Sequence, residues 1–400
     1  MFQFIHAADI HLDSPLKGLT RFDESAPVDR IRSATRDAFR NLVQLALDEC
    51  VAFVLIAGDL WDCDWPDAGP GLFFVSQAAR LDKADIPVFI VKGNHDAHSH
   101  LTKVTIRTWP KNVTTFDHTK PQTATLEPWN VAIHGQSYAK QHVTDDLSLA
   151  YPAPVPGAFN IGMLHTCLED GGTEYAPARL DKLITHGYDY WALGHSHDRQ
   201  DLSRDGVHVE FPGNLQGRSM RETGAKGCTM VTVSDDYSMT TRFEALDVVR
   251  WQELRIQADD QNVEKKVRNA LEDALTENPG RLLAVRLRIT GDLIEGQALR
   301  DRLDGVAVEL GDVWIEKIVV APRAATNRDC TSRNSSLDAE LRQVIAGLAA
   351  ENGSASLWTQ DLTRLQSQLS GELRVSDAAR ALNDEQAFRA LVARIGEDLR

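Results

Sequence analysis

The sequence predicts an α/β protein, and three observations carry that prediction. Five short apolar runs, FQFIHAA, VAFVLIAG, PVFIVKG, FNIGML and YDYWALG, each end in glycine or lead into a polar side chain. Runs of this length and content read as strands buried on both faces. Stretches with helical spacing separate several of them, and from Val207 the pattern turns to strands alone.

The elements follow in order. Arg30 to Glu49 is expected as a helix, because Ile31, Ala34, Ala38, Leu42, Leu45 and Ala46 recur at helical spacing. Gly71–Ala84 and Pro177–His186 are expected as two more. Between Asp117 and Pro156 the pattern breaks into loops and short strands, and YPAPVPG (151–157) is too rich in proline for regular structure. VHVEF, CTMVTV and MTTRFEAL then read as strands and close a first region, 1–246.

A second region, 247–325, reads β (VVRWQELRI), α (260–277), β (LLAVRLRIT), α (295–303), β (VWIEKIVVA). Val263, Val267, Leu271 and Leu275 mark one face of its first helix. It carries no ligand-rich motif and is expected to be a small α+β capping domain. The third region, 326–400, opens on the polar linker NRDCTSRNSS (327–336) and continues as amphipathic helices. Leu337, Leu341, Val344, Ile345 and Leu348 mark one apolar face; Leu362, Leu365 and Leu369 mark a second. Phe388, Leu391, Val392, Ile395 and Leu399 mark a third. Such faces bury either on the chain's own core or on a partner's helix.

The chemistry sits at the ends of the strands. Asp9 and His11 follow the first run, Asp59 the second and Asn94 the third; His165 follows the fourth, and His195 and His197 the fifth. Ligands at strand ends converge on one edge of a sheet, where open α/β sheets place their sites. Asp, His and Asn in such clusters bind divalent ions, and two adjacent ions stabilise both the attacking and the leaving oxygen of a phosphoryl displacement. Gly58, Gly93 and Gly194 are expected to let the chain turn sharply before a ligand. Mixed oxygen and nitrogen ligation suits Mn2+, with Mg2+, Fe2+ or Zn2+ as alternatives.

Composition narrows the setting. The chain is 42% apolar over 400 residues, enough for a sizeable core. No apolar run is long enough to span a bilayer, so no membrane partner is expected. The chain opens almost at once on a strand, which argues against a secretory signal. The five cysteines are scattered and form no C-x-x-C, which fits a reducing cytoplasm. The net charge of −15 taken alone argues against nucleic acid. Distribution matters more than the sum, and two bound divalent ions would add about four positive charges. The segment NLQGRSMRETGAK (214–226) holds Arg218, Arg221 and Lys226 against a single Glu. These cations either meet a phosphate backbone or belong to a solvated loop.

Most of the thirteen histidines take no part in this reading. His6, His98, His100, His118, His134, His142, His186 and His208 are expected to be structural or on the surface. His98 and His100 follow the third cluster closely enough to touch substrate, whereas His134 is expected to pack under the site. Asp62 either supports the ligands or faces substrate. Asp13 either orients His11 or only opens the following loop.

The five clusters resemble, in the same order, the D-x-H, G-D, G-N-H-D, H and G-H-x-H motifs of the calcineurin-like metallophosphoesterases. That resemblance implies a two-sheet α/β/β/α sandwich for the first region. It implies that Asp9, His11, Asp59 and His197 hold one ion. Asp59, Asn94, His165 and His195 would hold the other, with Asp59 bridging. His95 would face the phosphate and protonate the leaving oxygen. Asp96 would orient His95 and raise its pKa.

The appended regions, with ADIHLDSPLKGL and FPGNLQGRSMRETGAKGC, resemble the bacterial SbcD-type nucleases and within them the YhaO-like branch. This implies a DNA phosphodiesterase, a 3′→5′ exonuclease on duplex ends and an endonuclease on single strands, at work in double-strand-break repair. The implied partners are DNA, an SbcC-like coiled-coil ATPase docked on the C-terminal helices, and a second copy of the chain as a homodimer. A small-molecule phosphodiesterase or phosphatase using the same site is the rival reading. A scaffold without activity is a third, disfavoured because all seven ligands are present.

Overall fold

Side-chain alternation in the first strand builds the middle of the molecule. Phe2 and Phe4 point into one core, while Ile5 and Ala7 point into another on the opposite face. A strand has a side-chain period of two, so a strand apolar on both faces must be covered on both. The computed structural model describes residues 1–14, 27–62, 69–98, 110–168, 173–291, 293–294 and 296–321. In chain order these form β1 (Phe2–Ala7), α1 (Val28–Asp48), β2 (Phe53–Ala57), α2 (Gly69–Asp82), β3 (Val88–Val91), α3 (Asn94–His98) and β4 (Val113–Thr115). Next come β5 (Gln122–Leu126), β6 (Val131–Gly135), β7 (Phe159–His165), α4 (Leu180–Thr185), β8 (Tyr190–Gly194), β9 (Gln200–Asp201) and β10 (His208–Phe211). They are followed by β11 (Gly227–Val233), β12 (Met239–Ala245), β13 (Val249–Gln257), α5 (Val263–Glu277), β14 (Leu282–Thr290), α6 (Gln297–Leu310) and β15 (Val313–Ala321).

Two six-stranded sheets lie face to face. One has the order β12-β11-β1-β2-β3-β4, the other β5-β6-β7-β8-β10-β9. β1 to β4 run parallel, as do β6, β7, β8 and β10, and antiparallel strands close the remaining edges. Aromatic rings fill the gap between the sheets. Phe4 stacks on Phe53 at 4.8 Å and meets Tyr190 edge-on at 5.4 Å, geometries that the ring quadrupole favours. α1 and α2 cover the outer face of the first sheet, and α4 that of the second. The four layers are the α/β/β/α sandwich that the sequence predicts.

α1 buries Ile31, Ala34, Ala38, Leu42 and Ala46, the face that their spacing predicts. α4 is shorter than the expected 177–186 helix. The backbone amides of Ala176 and Ala178 are already taken by the carbonyls of Val143 and Cys167, which holds that stretch extended. α6 runs past the expected end at 303, through Gly305, because Val306 and Ala307 continue the buried stripe of Leu299 and Leu303.

The cap strands β13, β14 and β15 run parallel, with α5 and α6 as crossovers and a core of their own. Ile31 and Ala34 of α1 pack with Trp251, Ala284 and Trp314 of the cap sheet. Met1–Arg323 is accordingly one compact unit. The linker and helices expected over 326–400 lie outside the described residues, as do His100, Cys63 and Cys330. Among the described residues no helix is long and apolar enough to cross a membrane.

Candidate metal centre

All seven expected ligands stand just beyond the ends of parallel strands. Asp9 and His11 follow β1, Asp59 follows β2, Asn94 follows β3, His165 ends β7, and His195 and His197 follow β8. The two sheets meet here, since His165 Nδ1 donates to the Ala57 carbonyl at 3.0 Å. Parallel hydrogen bonding continues past the strands, from Asp9 N to Gly58 O and from His11 N to Asp59 O.

Turning the ligands inward strains the backbone. Asp9, His11, Asp59 and His195 all have positive φ, at 50°, 47°, 51° and 109°. Such conformations cost about 1–3 kcal/mol each and persist where function needs them. Two of the three glycines serve a different end from the one expected. Only Gly58 uses a positive φ, of 94°. Gly93 and Gly194 supply space: a Cβ on Gly93 would stand 2.3 Å from Asp59 Oδ1, and one on Gly194 would stand 1.9 Å from the Ala57 carbonyl oxygen.

The side chains converge in three overlapping groups: Asp9, His11 and His197; Asp9, Asp59 and His165; and His11, Asp59 and His95. Asp59 Oδ2 lies 3.9 Å from His11 Nε2 and 3.5 Å from His165 Nε2. His195 donates its backbone N–H to Asp9 Oδ2, and its ring lies 5.3 Å from that of His165.

With the histidines neutral, electron-rich atoms face one another with no proton between them. His165 donates from Nδ1, so the Nε2 of its neutral ring carries a lone pair, and this meets Asn94 Oδ1 at 3.0 Å. His11 gives its Nδ1–H to Asp62, and His197 gives its own to Glu222, which sets their Nε2 atoms head-on at 3.1 Å. Asp9 Oδ1 is buried with no hydrogen-bond partner. Burial pushes the Asp9 and Asp59 carboxyls up and holds His165 and His195 down at about 3. Cations at this point would satisfy every one of these atoms, so the residues fit a pair of divalent ions.

Several supporting roles differ from expectation. His95 is held by Asp62, not Asp96: its Nδ1 lies 3.0 Å from both the Asp62 carbonyl and carboxylate oxygens. The Asp62 hydrogen bond, outweighing burial, lifts His95 to about 9. Asp96 is buried and accepts from the backbone N–H groups of Leu60, Trp61 and Gly93, which clamps two ligand loops together. Its position in the first turn of α3 turns the carboxylate back toward those amides and away from His95. We predict that Asp96→Ala costs about 1–3 kcal/mol of stability, the penalty for orphaning buried donors. Urea unfolding checks this, and an unchanged midpoint would refute the clamp.

Asp62 orients His11 as well as His95, so it supports the ligands. Burial works against its charge, but the hydrogen bonds from His11 and His95 hold it well below the usual carboxylate range. Asp13 does not touch His11; it forms a two-pronged ion pair with Arg36. Lys226 is buried and donates to the His197 carbonyl at 2.8 Å, so it does not face a phosphate backbone. Arg218 is mostly buried too, between Glu222, Asp62 and Ser14. Arg221 is exposed. His134 is buried between Thr123 and Asn160.

Three residues carry no signal in the sequence. Glu222 orients His197; Tyr138 sets its ring edge-on to His165, and Tyr175 lies across His195.

Residues 2–199 match the family model described as Calcineurin-like phosphoesterase, and 251–323 match the middle domain of Metallophosphoesterase YhaO. A Bacillus subtilis protein named Uncharacterized metallophosphoesterase YhaO is 35% identical over 297 residues, covering 72% of this chain and 71% of that one. The chain belongs to the calcineurin-like metallophosphoesterases. DNA double-strand break repair protein Mre11 of Sulfurisphaera tokodaii is 26% identical over 251 residues, 58% of this chain and 60% of that protein. Mre11 of Saccharolobus solfataricus is 24% identical over 331 residues, 78% of this chain and 80% of that protein. As a calcineurin-like metallophosphoesterase the chain is a metal-dependent phosphoester hydrolase, and its family uses a dinuclear divalent metal site.

Proposed function

We propose that the chain is a manganese-dependent DNA phosphodiesterase, a 3′→5′ exonuclease on duplex ends that also cuts single strands during break repair. The observation that carries this reading is the extent of the likeness to Mre11. The Saccharolobus solfataricus match takes in 78% of the chain, more than the first 246 residues can supply. A small ester needs only the metal centre; a likeness that runs on into the cap favours a polymeric substrate.

When bound, two ions would lower the pKa of water and offset charge on both the attacking and the leaving oxygen. Asp9, His11, Asp59 and His197 would hold one, and Asp59, Asn94, His165 and His195 the other. Neutral imidazoles keep the centre from repelling an anionic phosphodiester. His95, partly exposed and fixed at Nδ1 by Asp62, keeps Nε2 to donate a proton to the departing sugar oxygen. Backbone contacts carry no base information, so cleavage is expected to be insensitive to sequence. Of the three cations in the 214–226 loop, Arg221 is the exposed one, and it is the one that would meet a phosphate. An SbcC-like ATPase, bound in the cytoplasm through 326–400, which the sequence pattern reads as amphipathic helices, would complete the machine.

Labelled duplex DNA and a chromogenic phosphodiester, assayed side by side with Mn2+, test this reading. Mn2+-dependent degradation of the duplex, abolished by a chelator and restored by added metal, is the expected result. Hydrolysis of the small ester alone would overturn the nuclease reading.

A further inference from the structure

The single acid in the cationic loop has a defined task. Glu222 lies between β10 and β11, and its side chain is 13% exposed. Oε1 accepts from His197 Nδ1 at 2.7 Å and from Arg218 Nη2 at 3.1 Å. Oε2 accepts from the backbone N–H of Arg218 at 2.7 Å and from Asn214 Nδ2 at 3.1 Å. With Arg218 Nε, 3.5 Å from Oε2, five donors converge on two oxygens, an arrangement that only an ionised carboxylate satisfies.

The arrangement settles the tautomer of His197. With Nδ1 committed as a donor, the neutral ring carries its lone pair on Nε2, which faces His11 Nε2 and lies 3.7 Å from Asp9 Oδ1. Arg218 reaches from Glu222 to Asp62, the carboxylate that holds His11 Nδ1. One guanidinium therefore links the two acids that aim two imidazoles at the same point. The loop itself is rooted in the first cap strand. Gly224 N donates to the Trp251 carbonyl at 3.0 Å, and Trp251 Nε1 donates to the Gly217 carbonyl at 2.9 Å.

We propose that Glu222, braced by Arg218, is the positioning residue for His197, so that a loop fastened to the cap controls occupancy of the ion position formed by Asp9, His11 and His197. The inference rests on the two-ion reading above. Carboxylates that orient a ligating histidine change metal affinity about 10–100-fold when removed. A glutamine at 222 has one acceptor oxygen for five donors, and its amide N–H would face a donor wherever it turned.

The test is Mn2+ binding to the full chain, read by calorimetry and by electron paramagnetic resonance. Wild type is expected to take two ions and to show a spin-coupled pair. Glu222→Gln is expected to keep one ion at wild-type affinity and to bind the other about 10–100-fold more weakly. Below saturation it should show the six-line signal of isolated Mn2+. In the His197→Ala background the same substitution should change nothing further. A folded Glu222→Gln that binds both ions as wild type does overturns the inference and leaves the two-ion reading standing. A wild type that binds no Mn2+ overturns that reading instead. If Glu222→Gln fails to fold, Arg218→Gln reads the same site: selective weakening of one ion supports the proposal, and unchanged binding overturns it.

Discussion

Asp59→Ala is expected to lower phosphoester hydrolysis about 1000-fold or more and to leave no pair of bound metal ions. Asp59 is buried, and its Oδ2 lies within 4 Å of a nitrogen in each half of the centre, at 3.9 Å from His11 and 3.5 Å from His165. A carboxylate suits this place because its charge and two oxygens can serve two cations at once. An ion pair supplies several kcal/mol of transition-state stabilisation, and each 1.36 kcal/mol is tenfold in rate. Metal content by plasma emission, beside kcat/KM with Mn2+ in excess, checks the prediction. A variant that keeps two ions and a tenth of the activity would show that Asp59 is no bridge.

His95→Ala is expected to separate binding from chemistry. Turnover should fall about 100- to 10,000-fold, the usual contribution of a positioned proton donor. Metal content should not change, because the group that fixes His95 is Asp62, through Nδ1, and the seven proposed ligands do not include His95. KM should move little compared with kcat. Loss of an ion in this variant would instead place His95 among the ligands, a position that its closeness to His11 and Asp59 makes worth testing.

Much of the architecture was legible because buried parallel strands write themselves as short apolar runs. β1, β2, β3, β7 and β8 all fall on the five runs, and each is almost wholly buried. The elements of 247–321 were legible in the same way, with the helix face at Val263, Val267 and Leu271 buried as spaced. Helix ends were harder to place. α4 loses its first turn to hydrogen bonds from segments far away in the chain, and α6 gains length because burial of Val306 and Ala307 outweighs one glycine. No local pattern records either competition.

The same division runs through the site. Sequence alone determined which side chains stand at the strand ends and in what order, since a strand and the residue after it are local features. Tertiary structure decided which acid serves which histidine. His11 takes Asp62 across 51 positions and His197 takes Glu222 across 25, while Asp96, next to His95 in the chain, turns its carboxylate to backbone amides. Tertiary structure likewise withdrew Lys226 and Arg218 from the loop's surface into hydrogen bonds around the centre. The physical reason is that a buried charge must find its partner wherever the fold brings one within about 3 Å, and nearness in sequence does not secure that distance.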